Sequence, residues 1–259
     1  MAPALFACST DGGQFISEEE EIAVGLEVDR QIREQFLVCT ADLCDPELLS
    51  WVQETGDQVA AVSSRPDLNY TFTVLHSDIV NAFAAPGGFI YITTGLVRQA
   101  SSTSEVVGVL AHEVGHVVER HGAEQMEQEL GLQILEELIF DDDGSAASEV
   151  ASWIVGGYTG FVQSKDKELE ADVQGVILSA RANYSPAGIV NFFKTLQSLF
   201  GSSDPVSEIL SSHPSPADRI ANAEKVIASE NLDVSSFPLD GDVPYAQLLS
   251  WLPPPANDQ

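Results

Sequence analysis

Over residues 102–121 the chain runs without proline, and its apolar and polar positions recur with a helical period. Ser102 and Glu105 stand in the S-x-x-E arrangement of a capping box, which marks where the helix starts. At about 100° per residue, Val107, Leu110, Val114, Val117 and Val118 fall on one apolar stripe, while His112, His116 and Glu119 gather on the opposite side. The pattern thus predicts a helix running through His121, with His112 and His116 mid-length and facing away from the apolar stripe. Gly108 and Gly115 share a flank at a helix-propensity cost of about 1 kcal/mol each. Their presence predicts a second backbone packed closely there. His121 lies about 180° around from His112, with the apolar stripe, and reads as a packed or capping histidine.

The same reading extends along the chain. Residues 17–37 predict a helix with Ile22, Leu26, Ile32 and Phe36 on its apolar side, and Asp45-Pro46 opens a second. Tyr70, Phe72 and Val74 alternate with Thr71, Thr73 and Leu75, as in a strand. Residues 81–84, Pro86-Gly87-Gly88 and residues 89–93 read as a hairpin. Beyond His121 the pattern predicts helices over 123–140, 148–163, 166–182 and 186–200, with an acidic loop containing Asp141, Asp142 and Asp143 after the first. From Leu232 onward the prolines 238, 244 and 253–255 predict irregular packing. The fold class expected is α+β, helix-rich, with one small mixed β-sheet beside the helix of residues 102–121. Three parts are expected: a flexible segment at 1–16, one domain at 17–231 and a Pro-rich tail at 232–259.

Composition narrows the partners. A chain of 259 residues with 44% hydrophobic positions can bury a substantial core. Its formal charge of −29, from 40 acidic and 11 basic residues, excludes nucleic acid as a partner and disfavours anionic lipid. Cys39 and Cys44 are close enough to close a small loop, and a disulfide there would suit an oxidising compartment. Leu5-Phe6-Ala7-Cys8 resembles the end of a bacterial lipoprotein signal, with Cys8 as the acylated residue. A lipid at Cys8 is the one membrane contact expected, since no apolar stretch is long enough to span a bilayer.

The chemistry centres on His112-Glu113-Val114-Gly115-His116, an H-E-x-x-H string. On a helix it places two imidazoles one turn apart with a carboxylate beside them, the arrangement of a zinc site with its own general base. A catalytic zinc needs a third protein ligand. The metzincin pattern would put a histidine at position 122, which is Gly122. Glu168 and Asp172 lie one turn apart on a later predicted helix. Glu168 could complete a His2Glu set, and Asp172 could accept the free N–H of a ligand histidine. Taken alone, that segment reads equally as an acidic face turned to solvent. The cysteines lack zinc-site spacing.

The order Asn81-Ala82-Phe83, Pro86-Gly87-Gly88, Ile90-Tyr91, Gly95-Leu96, then the H-E-x-x-H string, then Glu168 to Asp172, then His213-Pro214 with Arg219-Ile220, resembles one metallopeptidase family. It is that of the soluble bacterial enzymes related to BepA, HtpX and the type 1 CAAX prenyl proteases, and the resemblance covers roughly residues 45–225. It implies a zincin-like fold of the gluzincin kind, with one Zn2+ per chain on His112, His116 and Glu168. It further implies Glu113 as base and Asp172 as the support behind the ligands. His213 and Arg219 would reach the site, His213 as an extra ligand or switch. On residues alone, 212–216 could instead open a helix whose Arg219 makes a surface ion pair. Asn81, Ala82 and Phe83 resemble the edge strand that binds an extended substrate, although an ordinary hairpin arm fits the same residues.

The expected function is zinc-dependent endoproteolysis of misfolded or unassembled proteins in a bacterial cell envelope, periplasmic or at the outer membrane. His213 or Arg219 could stabilise the oxyanion. A chaperone-like binding module of the envelope, with little proteolysis, is the alternative. An intact Glu113 argues against it, because a scaffold has no need of a base beside the ligands.

Overall fold

The computed structural model describes residues 16–127, 164–199 and 216–256. Helix α1 (Glu18–Gln35) opens on a complete capping box between Ser17 and Glu20. Helix α2 (Pro46–Ala60) starts with its proline in the first turn, where no N–H is missed, behind an Asp45 cap. Just ahead of that cap, Cys39 and Cys44 form a buried disulfide. The sheet follows, with strands β1 (Thr71–Leu75), β2 (Ala82–Ala85) and β3 (Phe89–Thr93) in the order β1-β3-β2. Strand β3 runs parallel to β1 and antiparallel to β2, so the sheet is mixed and β2 lies at its edge. The turn between β2 and β3 carries Gly87 and Gly88 at φ 75° and 91°, a left-handed conformation that favours glycine.

Helix α3 (Thr94–Gln99) leads into α4 (Thr103–Val118), which carries the H-E-x-x-H string. After a helical segment at 121–127 come α5 (Lys165–Arg181), α6 (Gly188–Leu199), α7 (Pro216–Ser229) and the short α8 (Tyr245–Ser250). The fold is α+β, helix-rich, with a small mixed sheet beside α4, as expected. The expected helix at 148–163, most of that at 123–140, the acidic loop, Cys8 and His213 lie outside the described residues.

Three expectations about α4 need correction. Its start has only half of the capping box. Ser102 Oγ accepts from Glu105 N at 3.3 Å, but the Glu105 carboxylate takes the N–H of Ser101 and the hydroxyl of Thr195 instead. Nor does the helix present one apolar face, since every residue of it up to Val117 is buried. Packed by α2 and the sheet and by α5 and α6, it has the surroundings of a central core helix. Finally, the helix does not run through His121. It ends at Val118, and Arg120 takes a left-handed φ of 56°, so the motif occupies the last turns. Contacts from outside the helix set that end. Arg65 donates to the Val117 carbonyl at 2.8 Å, satisfying a last-turn acceptor, while Arg120 is held by Glu21 at 3.0 Å and the Ile16 carbonyl at 2.6 Å.

The glycine expectation is met. A Cβ on Gly108 would collide with the Ile189 backbone at the start of α6, and one on Gly115 would lie 3.0 Å from the Ala171 carbonyl oxygen of α5. The stretch after Leu232 is more ordered than expected. Thr103 at the head of α4 bonds Asp240 and the Val243 carbonyl, the Tyr245 hydroxyl donates to the Val97 carbonyl at 2.8 Å, and Leu248 is buried. Among the described residues no helix is long and apolar enough to cross a membrane.

Candidate metal centre

Helix α4 supplies His112 and His116 one turn apart, and α5 crosses it where Gly115 and Gly175 leave room. The crossing brings Glu168 to the two histidines. A nitrogen from each ring and one carboxylate oxygen all lie within 4.8 Å of one another, and all three residues are buried. The two Nε2 atoms are 3.0 Å apart, and the Glu168 carboxylate meets them with both oxygens, Oε1 at 3.4 Å from His116 Nε2 and Oε2 at 3.6 Å from His112 Nε2. Two ligand bonds near 2.05 Å at a tetrahedral angle separate their donor atoms by about 3.4 Å. Two imidazole nitrogens and one carboxylate oxygen at such spacing fit a single divalent metal ion.

The groups behind these donors are polar and committed. His112 Nδ1 lies 3.0 Å from Asp172 Oδ1. Arg219, on α7, is itself buried and donates to both oxygens of Asp172, at 3.0 Å from Nε and 2.6 Å from the nearer terminal nitrogen. Its other terminal nitrogen meets Glu168 Oε2 at 3.0 Å, and the guanidinium lies 4.2 Å from the ring centre of Phe193. Asn222 donates to the Leu169 carbonyl at 3.0 Å and ties α7 to α5 one turn along. Arg219 is thus part of the site and makes no surface ion pair.

Charge in the site follows from these contacts. For His112, burial and the nearby Arg219 disfavour the charged ring, but hydrogen bonds to Asp172 and Glu168 outweigh both and raise its pKa to about 9. Burial dominates at His116 and lowers it to about 3, so that ring is neutral. Burial lowers His121 as well. Burial alone would raise Asp172, yet the facing Arg219 and His112 hold it below the ordinary carboxylate value. Arg219 stays charged despite its burial because Asp172, Glu168 and Glu113 surround it with negative charge.

Glu113 is buried beside His112 in the sequence, within electrostatic reach of Arg219. Ala82 and Phe83 fall on the edge strand β2 with Asn81 just ahead of it, and Phe83 stacks on Tyr91 at 4.7 Å. Asn81 exchanges bonds with Thr93, its N–H going to the threonine hydroxyl and its carbonyl accepting the Thr93 N–H at 3.0 Å. A small pocket lined by Ala84, Ala85, Pro86, His116, Arg120 and Gly122 lies between the end of β2 and His116. His121 is packed, as expected, but on the metal side. His121 packs its Nδ1 2.9 Å from His116 Nδ1, and the turn at Arg120 that brings it there has no signal in the helical pattern.

Residues 46–227 match peptidase family M48. A beta-barrel assembly-enhancing protease of Yersinia pestis is 29% identical over 83% of this chain and 45% of its own length. The mitochondrial metalloendopeptidase OMA1 of Arabidopsis thaliana is 31% identical over 70% of this chain and 36% of its own length. The metalloprotease YcaL of Escherichia coli is 30% identical over 68% of this chain and 76% of its own length. The chain therefore spans less than half the length of the first two relatives. With its buried His-His-Glu cluster and this kinship, the chain belongs to peptidase family M48 and is a metallopeptidase.

Proposed function

We propose that the chain is a zinc-dependent endopeptidase acting on unassembled or misfolded proteins of a bacterial envelope. In this reading His112, His116 and Glu168 hold one zinc ion per chain and Glu113 is the general base. The observation that carries it is the buried triangle of two imidazole nitrogens and a carboxylate oxygen, on the helix that also holds Glu113.

Zinc, when bound, would supply a lowered pKa for water and polarise the scissile carbonyl. Glu113 then takes the proton of the attacking water and returns it to the leaving amine. Asp172 accepts the Nδ1–H of His112, which would leave the Nε2 lone pair for a metal ion. The guanidinium of Arg219 is engaged by Asp172 and Glu168 and by the His112 ring, whose Nε2 lies 3.0 Å from it, which supports an orienting role for it in preference to direct contact with the oxyanion. His213 stands in this reading as the group that meets the oxyanion or adds a ligand. Along the edge of β2 at Asn81, Ala82 and Phe83, an extended peptide adds as a further strand and is held by its main chain.

The envelope as the place of action rests on the relatives named for beta-barrel assembly, on the Cys39–Cys44 disulfide and on the lipoprotein-like residues before Cys8. Casein degradation tests the reading. Cleavage that stops with a zinc chelator and returns with added zinc supports it, and cleavage indifferent to chelation contradicts it.

A further inference from the structure

Each ligand histidine needs its outward nitrogen held, and the two are held differently. Behind His112 stands a carboxylate, Asp172. Behind His116 stands another imidazole. The His116 and His121 rings lie 5.0 Å apart at 69° to each other, with their Nδ1 atoms 2.9 Å apart, and His121 Nε2 lies 3.2 Å from Glu170 Oε2. His121 is 1% exposed, so an unsatisfied ring nitrogen there would be costly.

We propose that His121 is the positioning residue for His116, through a hydrogen-bonded chain from His116 to His121 to Glu170 that ends at the protein surface. The proposal rests on the reading of His116 as a zinc ligand. Its Nε2 faces His112 and Glu168, so a ring bound through Nε2 carries its proton on Nδ1. That Nδ1–H faces His121 Nδ1, which can accept only if His121 keeps its own proton on Nε2. The His121 Nε2–H in turn faces the Glu170 carboxylate. Every donor then meets an acceptor, and both rings have a fixed tautomer. The left-handed turn at Arg120, anchored by Glu21 and the Ile16 carbonyl, brings His121 back onto the metal side after α4 has ended.

The test uses the full chain, zinc competition against a chromogenic chelator, and imidazole nitrogen NMR of the zinc-loaded protein. His121→Phe keeps the ring volume without an acceptor and is expected to weaken zinc binding by about 10- to 100-fold, with loss of the slowly exchanging His116 Nδ1–H signal. His121→Gln, whose carbonyl can accept, should recover most of the affinity, which a purely space-filling role would not explain. Glu170→Ala removes an exposed side chain and tests the chain without touching the core. It is expected to weaken zinc binding less than His121→Phe and to speed exchange of the His121 Nε2–H. Unchanged affinity and an unchanged His116 signal in a folded His121→Phe protein overturn the proposal. So does Glu170→Ala with neither change, which is the deciding result should His121→Phe fail to fold. A wild-type chain that takes up no zinc overturns the metal-centre reading itself, and this proposal with it.

Discussion

Gly115 of α4 lies against Ala171 of α5 so closely that a methyl group at 115 would stand 3.0 Å from the Ala171 carbonyl oxygen and 2.9 Å from the Gln174 Cβ. This contact sets how near Glu168 comes to the two histidines. Gly115→Ala would gain about 1 kcal/mol of helix propensity. Overpacking against a neighbouring backbone costs about 1–3 kcal/mol and pushes the helices apart. The variant is therefore expected to melt no higher than wild type and to bind zinc more weakly. Thermal melts of the metal-free protein and chelator competition measure both, and a more stable variant with unchanged affinity would contradict this account.

Arg219 compensates two buried carboxylates and packs on Phe193. Removing one partner from a buried ionic cluster leaves uncompensated charge, so Arg219→Ala is expected to destabilise the metal-free protein by about 3–5 kcal/mol. Lysine lacks the planar fork that reaches Asp172 and Glu168 together, and Arg219→Lys should recover only part of the loss. Urea unfolding of the three proteins checks the order. Full recovery by lysine would mean that charge alone matters here.

Stability without metal should peak near pH 6.5. His116 has a folded pKa of about 3, below its unfolded value of 6.5, so the unfolded chain binds more protons between those values. Its contribution is present above pH 6.5 and is lost as pH falls toward 3. His112 has the opposite shift, to about 9, and its contribution is present below pH 6.5 and lost as pH rises through 9. Denaturant midpoints measured from pH 4 to 9 with chelator present should fall on both sides of the maximum. A midpoint that rises steadily across the whole range would show that these two shifts do not govern the metal-free fold.

What the sequence makes legible is local. The helix from residue 17, the helix opening at Asp45-Pro46, the position of strand β1, the turn glycines 87 and 88 and the i, i+4 spacing of His112 and His116 depend on near neighbours, and all appear where the pattern puts them. The end of α4 was not legible, because Arg65 and Glu21, more than fifty residues upstream of Val117 in one case and nearly a hundred upstream of Arg120 in the other, hold the chain there. The parallel pairing of β1 with β3 and the partners of Arg219 likewise need tertiary contact. His121 is packed, as read from the sequence, but the side on which it packs was not legible for the same reason. Its angle around the helix had no meaning once the helix stopped three residues before it. Gly108 and Gly115 were the exception, since a glycine that costs helix stability announces a close neighbour before that neighbour is known.

Glu168 tests the ligand set. Glu168→Ala should lose its zinc on dialysis while the wild-type chain keeps it, because Glu168 supplies the carboxylate of the buried cluster. Equal zinc content in variant and wild type, measured by atomic absorption, would remove Glu168 from the centre.

The most direct measurement is peptide cleavage by Glu113→Gln with its zinc content determined on the same sample. The account predicts one zinc per chain, as in wild type, with the rate reduced by about 100- to 10,000-fold. A zinc-loaded Glu113→Gln protein that cleaves at the wild-type rate would contradict it.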